Sequence, residues 1–118
     1  MPIKVSRIPI VGVAVIEHSG ELTGGIETER LRSAINELSA GGNKRLVIDF
    51  GKTTYLDSTA IGVLTWALTR YSKNEGEVKL ANIPDNIKNV FVMTRLTMVF
   101  DVQSTQEDAI ASFGGIRR

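Results

Sequence analysis

Cysteine is absent from the 118 residues, which removes a disulfide framework, a thiolate nucleophile and any sulfur-ligated zinc site, and suits a reducing compartment. Histidine is nearly absent too, His18 being the only imidazole. An excess of one charge is also missing. Lys and Arg number 14 against 13 for Asp and Glu, a net charge of +1, so there is no electrostatic case for nucleic acid or an anionic membrane as partner. No apolar run approaches the roughly 20 residues of a bilayer span, and the N-terminus lacks the basic, apolar, small-residue order of a signal peptide. These absences predict a soluble, cytoplasmic chain. Its length suits one domain over residues 1–118, large enough to bury a core without staples.

The usual marks of catalysis are missing as well. The chain has no G-x-x-x-x-G-K-[ST] loop and no G-x-G-x-x-G after a strand, so the common backbone cradles for nucleotides are not expected. Ser58 lies in D-S-T-A rather than in a G-x-S-x-G elbow, and the carboxylates are too scattered to predict a metal site. A hydrolase using Ser58 with His18 as its base is the weakest reading, because a lone histidine at a strand end is more often a surface residue. No enzyme activity, cofactor or metal is expected.

What is present is alternation. Residues 3–16 are mostly β-branched and broken at Arg7-Ile8-Pro9, which predicts two short strands, the second over 10–16 and apolar on both faces as in a central strand. After a loop at 20–25, Leu31, Ala34, Ile35 and Leu38 recur at helical spacing until Gly41-Gly42. A strand over 45–50, a loop over 51–56, a helix over 59–72 ending near Gly76 and a strand over 77–81 follow. Asp85 is expected to cap a third helix carrying Ile87, Val90 and Phe91, residues 98–102 to form the last strand, and Thr105 with Asp108 to open a short helix through Phe113 before a Gly-Gly-Ile-Arg-Arg tail. The order predicts an α/β fold, one mixed β-sheet backed by α-helices.

One stretch, Y-L-D-S-T-A-I-G-V-L at 55–64, combines an acid and two hydroxyls with the start of the second helix. Asp57 and Ser58 are both good N-cap residues, and a cap worth about 1 kcal/mol is sufficient reason for either. The same place favours an anion, since free N–H groups and the positive end of the dipole converge there. A phosphate on Ser58 would add close to two negative charges beside Asp57 and switch a contact without unfolding the helix. On a helical wheel Trp66 falls opposite the apolar face, in line with Ser58, Gly62, Thr69 and Arg70. That is the composition of an interface anchor, with Gly62 admitting a partner's backbone. The competing expectation is that the third helix or the tail covers Trp66 within the monomer.

The run V-I-D-F-G-K-T-T-Y-L-D-S-T-A-I-G-V-L at 47–64, with G-E-L-T at 20–23 and V-K-L-A-N-I-P at 78–84, resembles the signature of the STAS domain. That family is shared by bacterial anti-sigma factor antagonists and sulfate transporter tails. The resemblance covers nearly the whole chain. It implies a STAS-like fold and a non-enzymatic antagonist that binds a serine protein kinase doubling as an anti-sigma factor, and so releases a sigma factor. Ser58 would be the phosphoacceptor, with Thr59 as the alternative and Asp57 as the acid before it. The kinase would hold the ATP, and a serine phosphatase would restore the bare protein. The contact surface would comprise Thr23, Asp57, Ser58, Thr59, Gly62, Trp66 and Arg70. Two departures stand out: Thr23 occupies a place where antagonists often carry an acid, and Ala60 one where the family often has Gly. The alternative is a STAS scaffold subunit of a stress-sensing or transport-associated assembly, with self-association, a homodimer included.

Overall fold

The computed structural model describes residues 3–113, so the expected C-terminal tail lies outside the described residues. Five strands and four helices follow one another: β1 (Ile3–Ile8), β2 (Val13–Leu22), α1 (Gly25–Ala40), β3 (Arg45–Leu56), α2 (Ser58–Lys73), β4 (Glu77–Ala81), α3 (Asp85–Met93), β5 (Asp101–Gln103) and α4 (Gln106–Ala111). The sheet order is β1-β2-β3-β4-β5. β1 runs antiparallel to β2 across a short 3-10 turn at Pro9–Val11, and every other pair is parallel. The mixed sheet expected from the alternation is the one observed.

Strand periodicity assigns the two faces. Ala14 and Ile16 of β2, Leu46, Ile48 and Phe50 of β3, and Val78 and Leu80 of β4 join one buried cluster with residues of α1, α2 and α3. The intervening Val13, Val15, Val47 and Ala81 form a smaller one with Ala109 and Phe113. Strands covered on both faces read as nearly continuous apolar runs. α4 is held over its face by polar contacts as well, Gln106 Nε2 donating to Glu17 Oε2 (3.0 Å) and Asp49 Oδ2 (2.8 Å).

Local chemistry accounts for the ends. α1 stops at Gly41-Gly42, where Gly42 takes a φ of 97°, Gly42 N–H bonds Ser39 O and Asn43 N–H bonds Leu38 O, a glycine-dependent C-cap. Thr105 Oγ1 accepts from Asp108 N–H at 3.0 Å and caps α4 as expected, although this helix ends at Ala111.

Several expectations need correction. Residues 10–12, expected to open the second strand, belong to the turn before it, and Ile10 is exposed. Residues 20–22 and 51–56 are strand rather than loop: β2 and β3 continue in parallel, with Ser19 opposite Lys52, Gly20 opposite Thr53, Glu21 opposite Tyr55 and Leu22 opposite Leu56. Two register shifts let β3 gain residues on β2, and these bulges turn Thr53 and Leu56 inward in place of strict alternation, which hides the strand in the sequence. The last strand is only Asp101–Gln103. Residues Leu96–Met98 form a 3-10 turn entered through Arg95 at φ 63°, and Met98 and Val99 of the supposed strand are exposed. Asp85 is the first residue of α3 rather than its cap, and Pro84, which has no side-chain acceptor, holds the capping position. On α3, Ile87 and Phe91 are buried while Val90 is exposed.

Candidate functional site

The prolonged β2–β3 ladder carries the chain to the site. Asp57, directly after β3, donates its N–H to Leu22 O at 3.1 Å, the last residue of β2. Its carboxylate then caps α2, Oδ1 accepting from Ala60 N–H at 3.0 Å. The choice between the two capping residues is thus made: Asp57 is the N-cap and Ser58 the first helical residue. Ser58 and Thr59 are both exposed. The Ser58 hydroxyl is therefore not needed to start the helix. Asp57→Ala is expected to cost about 1 kcal/mol in denaturant unfolding, and an unchanged midpoint would mean that Ser58 takes over the cap.

Thr23 lies in the short exposed connection from β2 to α1. The next residue, Gly24, is close enough to Asp57 that a Cβ there would touch the free Oδ2 at 3.9 Å. The loop and the start of α2 therefore stand side by side. Gly62, one turn further along α2, is exposed with nothing within 4 Å of the position of a Cβ. Thr59 also opens onto an apolar groove of about 710 Å³ whose walls include Ile3, Ile26, Ala34 and Val63.

Trp66 and Arg70 sit differently from the wheel's expectation. Trp66 is half-buried and packs against the main core. Among the described residues it is α1 that covers the ring, its Arg32 guanidinium lying 5.0 Å from the ring centroid, with Arg70 of α2 itself at 5.8 Å; the tail lies outside the described residues. Such cation–π contacts contribute roughly 0.5–1 kcal/mol at exposed sites. Arg70 in turn donates to Ser39 Oγ (3.1 Å) and Asn36 Oδ1 (2.6 Å) of α1. Arg32, Asn36 and Ser39 escape sequence reading, yet their i, i+4, i+7 spacing is the signal of one helix face. The structure thus gathers Thr23, Asp57, Ser58, Thr59 and Gly62 at one open end of α2, and places Trp66 and Arg70 beyond them in the seam with α1.

His18 is buried rather than at the surface, 1% exposed. Its Nδ1 pairs with Thr53 Oγ1 at 2.7 Å. Burial pushes its pKa below the ordinary 6.5, against a smaller upward pull from Glu27. Among the described residues no hydrogen bond joins it to Ser58, and no group of three or more His, Asp or Glu stands close enough to hold a metal. No described helix is long and apolar enough to cross a membrane.

Known proteins resemble this chain in sequence or in fold. BtrV of Bordetella bronchiseptica, assigned as an anti-sigma factor antagonist, is 25% identical over 85 residues, 72% of this chain and 73% of its own. A Thermotoga maritima protein with the same assignment superposes with a TM-score of 0.83 at 18% identity, covering 92% of both chains. The anti-sigma factor antagonist SpoIIAA in its unphosphorylated form gives 0.75 at 21% identity, over 97% of this chain and 99% of that one. The phosphorylated form, from Bacillus, gives 0.71 at 21%, over 92% and 96%. These likenesses show a shared fold. The model of the STAS domain matches residues 6–109, which takes in all but the start of β1 and the end of α4, and the chain belongs to the STAS domain family.

Proposed function

We propose that this protein is an anti-sigma factor antagonist, a cytoplasmic binding protein without enzymatic activity. Its hold on a serine kinase that doubles as an anti-sigma factor is broken when that kinase phosphorylates Ser58, with Thr59 as the alternative acceptor. A serine phosphatase resets it. The observation that carries the reading is the division of labour at the head of α2: Asp57 performs the capping, which leaves the neighbouring Ser58 hydroxyl exposed and structurally spare. The relatives assigned as antagonists and the two solved states of SpoIIAA support it.

The chemistry asked of this chain is small. The kinase supplies ATP and the catalytic groups, and Ser58 supplies one oxygen. A phosphate there would lie by the unpaired N–H groups of the first turn of α2, where the dipole favours negative charge, and α2 has no acidic residue in that turn. Asp57 and the new dianion together would face a partner that had docked against a neutral hydroxyl. The binding then fails through repulsion and desolvation while the fold persists.

Incubation with ATP and a cognate serine kinase of the anti-sigma factor class, followed by intact-mass analysis and peptide mapping, is expected to show one phosphate on Ser58 or Thr59. Calorimetry with that kinase should show Ser58→Asp binding at least tenfold more weakly, about 1.4 kcal/mol. Binding without phosphorylation, or equal affinities for the two proteins, would overturn the switch.

A further inference from the structure

Three buried side-chain atoms have no hydrogen-bond partner among the described residues: His18 Nε2, Glu27 Oε1 and Thr28 Oγ1. Buried polar atoms are nearly always paired, so three orphans in one region need an explanation. Glu27 and Thr28 are neighbours in the first turn of α1, and Glu27 stands near enough for its charge to act on the His18 ring. His18 and Thr28 are 1% and 2% exposed.

Proton counting shows what the ring can do. Thr53 Oγ1 has one proton and two acceptors within reach, His18 Nδ1 at 2.7 Å and His18 O at 3.3 Å. While the ring is neutral, one of its nitrogens is a donor and the other an acceptor. Once it takes a second proton from water, both nitrogens donate. Thr53 must then accept from Nδ1 and turn its own proton to His18 O, while Nε2 becomes a donor without a partner on a ring whose positive charge Glu27 favours. Glu27 is the available counter-charge, since its other oxygen holds Arg30 only loosely, at 3.7 Å on the exposed side. Of the other neighbours, Thr53 faces the ring from β3 and Ile3 is the register partner on β1; Lys4, Glu17, Asp49 and Lys52 line a surface groove that His18 also borders, but the charge that acts on the ring is that of Glu27.

A joint lies beside this cluster. Gly24 and Gly25 both have positive φ, 31° and 66°, a conformation glycine takes without strain, and Gly24 abuts Asp57. We propose that His18 is a proton-operated latch: protonation draws Glu27 Oε1 onto His18 Nε2, reseats the first turn of α1 about Gly24-Gly25, and shifts the residue 23–25 loop against Asp57 at the head of α2. Mild acid would thereby reshape the surface around Ser58 without any covalent change. The latch does not depend on Ser58 being modified.

Because His18 is the only histidine, its ring can be followed without ambiguity in an NMR pH titration of the intact protein. The imidazole is expected to titrate below the ordinary 6.5, and the amides of residues 24–28, 57 and 58 should move with the same midpoint. Glu27→Gln, which leaves the core untouched, should lower the imidazole midpoint further and shrink the amide response. A ring that stays neutral until the protein unfolds would overturn the latch. So would one that titrates while those amides stay still, or a response unaltered by Glu27→Gln.

Discussion

Gly76→Ala is expected to destabilise the protein by about 1–3 kcal/mol, the usual cost of forcing an extra methyl into filled space. Elsewhere the same replacement generally stabilises by about 0.4–1 kcal/mol, through the entropy of the unfolded chain, so the sign is informative. A Cβ at this position would meet Lys44 O at 2.8 Å, Lys44 Cα at 3.1 Å and the Tyr71 ring at 3.2 Å. The nearest of these is backbone, and it cannot retreat freely, because Lys44 O accepts from Glu77 N–H at 2.8 Å where β4 begins beside β3. Gly62→Ala is the paired control. It lies on the open side of α2 with no neighbour to strike, and should gain about 0.5–1 kcal/mol from helix propensity. Denaturant unfolding of both variants checks the pair, and changes of the same sign would contradict the packing described around Gly76. Gly62→Ala also interrogates the binding surface: a variant more stable but weaker in binding the kinase would place the partner's backbone against that glycine.

At alkaline pH the expected loss of stability centres on Tyr71. Burial pushes its phenol up to about 12, against weaker pulls from Arg7 and Arg70, and its hydroxyl donates to Asn43 Oδ1 at 2.8 Å. The folded-state pKa is the higher, so the unfolded chain gives up the proton first. The contribution is complete below pH 10 and disappears as pH rises through 12. A gap of this size corresponds to about 3 kcal/mol between the two plateaus. Tyr71→Phe should cost about 1 kcal/mol at neutral pH, since Asn43 loses its donor, and should unfold with a flatter alkaline profile than the wild type. Equal alkaline slopes for the two proteins would remove Tyr71 as the cause.

Much of this architecture was legible in the chain. β4 has the expected limits, and α2 begins and ends one residue outside the expected ones, because a short run bounded by Gly76 and Pro84, or helical spacing followed by glycine, leaves few alternatives. The fold class followed from the alternation, and the family from the stretch at 47–64. What escaped was set by tertiary geometry. The second half of β3 was hidden by bulges, which break the period of two, and by Gly51 and three polar residues after it. The apolar run at 98–102 promised a strand, but Met98 and Val99 point to solvent and a left-handed Arg95 bends the chain. His18 gave no hint of burial, since its partner Thr53 lies 35 residues away and faces it only because of a bulge. Trp66 lies off the apolar stripe of its own helix, and only the neighbouring helix explains where it goes. At the candidate site the sequence offered two caps and no means of choosing. The hydrogen bond from Ala60 decides for Asp57.

The bond from Asp57 N–H to Leu22 O has one more consequence. It fastens the residue before Ser58 to the end of the sheet, so the hydroxyl is presented by a framework already ordered. An enzyme that modifies a floppy segment must first freeze it, at roughly 1–2 kcal/mol per residue; here folding has met that cost in advance. Under the proposed function, recognition by the kinase would rest on the contour of a folded surface, with residues as distant in sequence as Thr23 and Gly62 included. A peptide copied from residues 52–64 would carry the same letters and lack the shape.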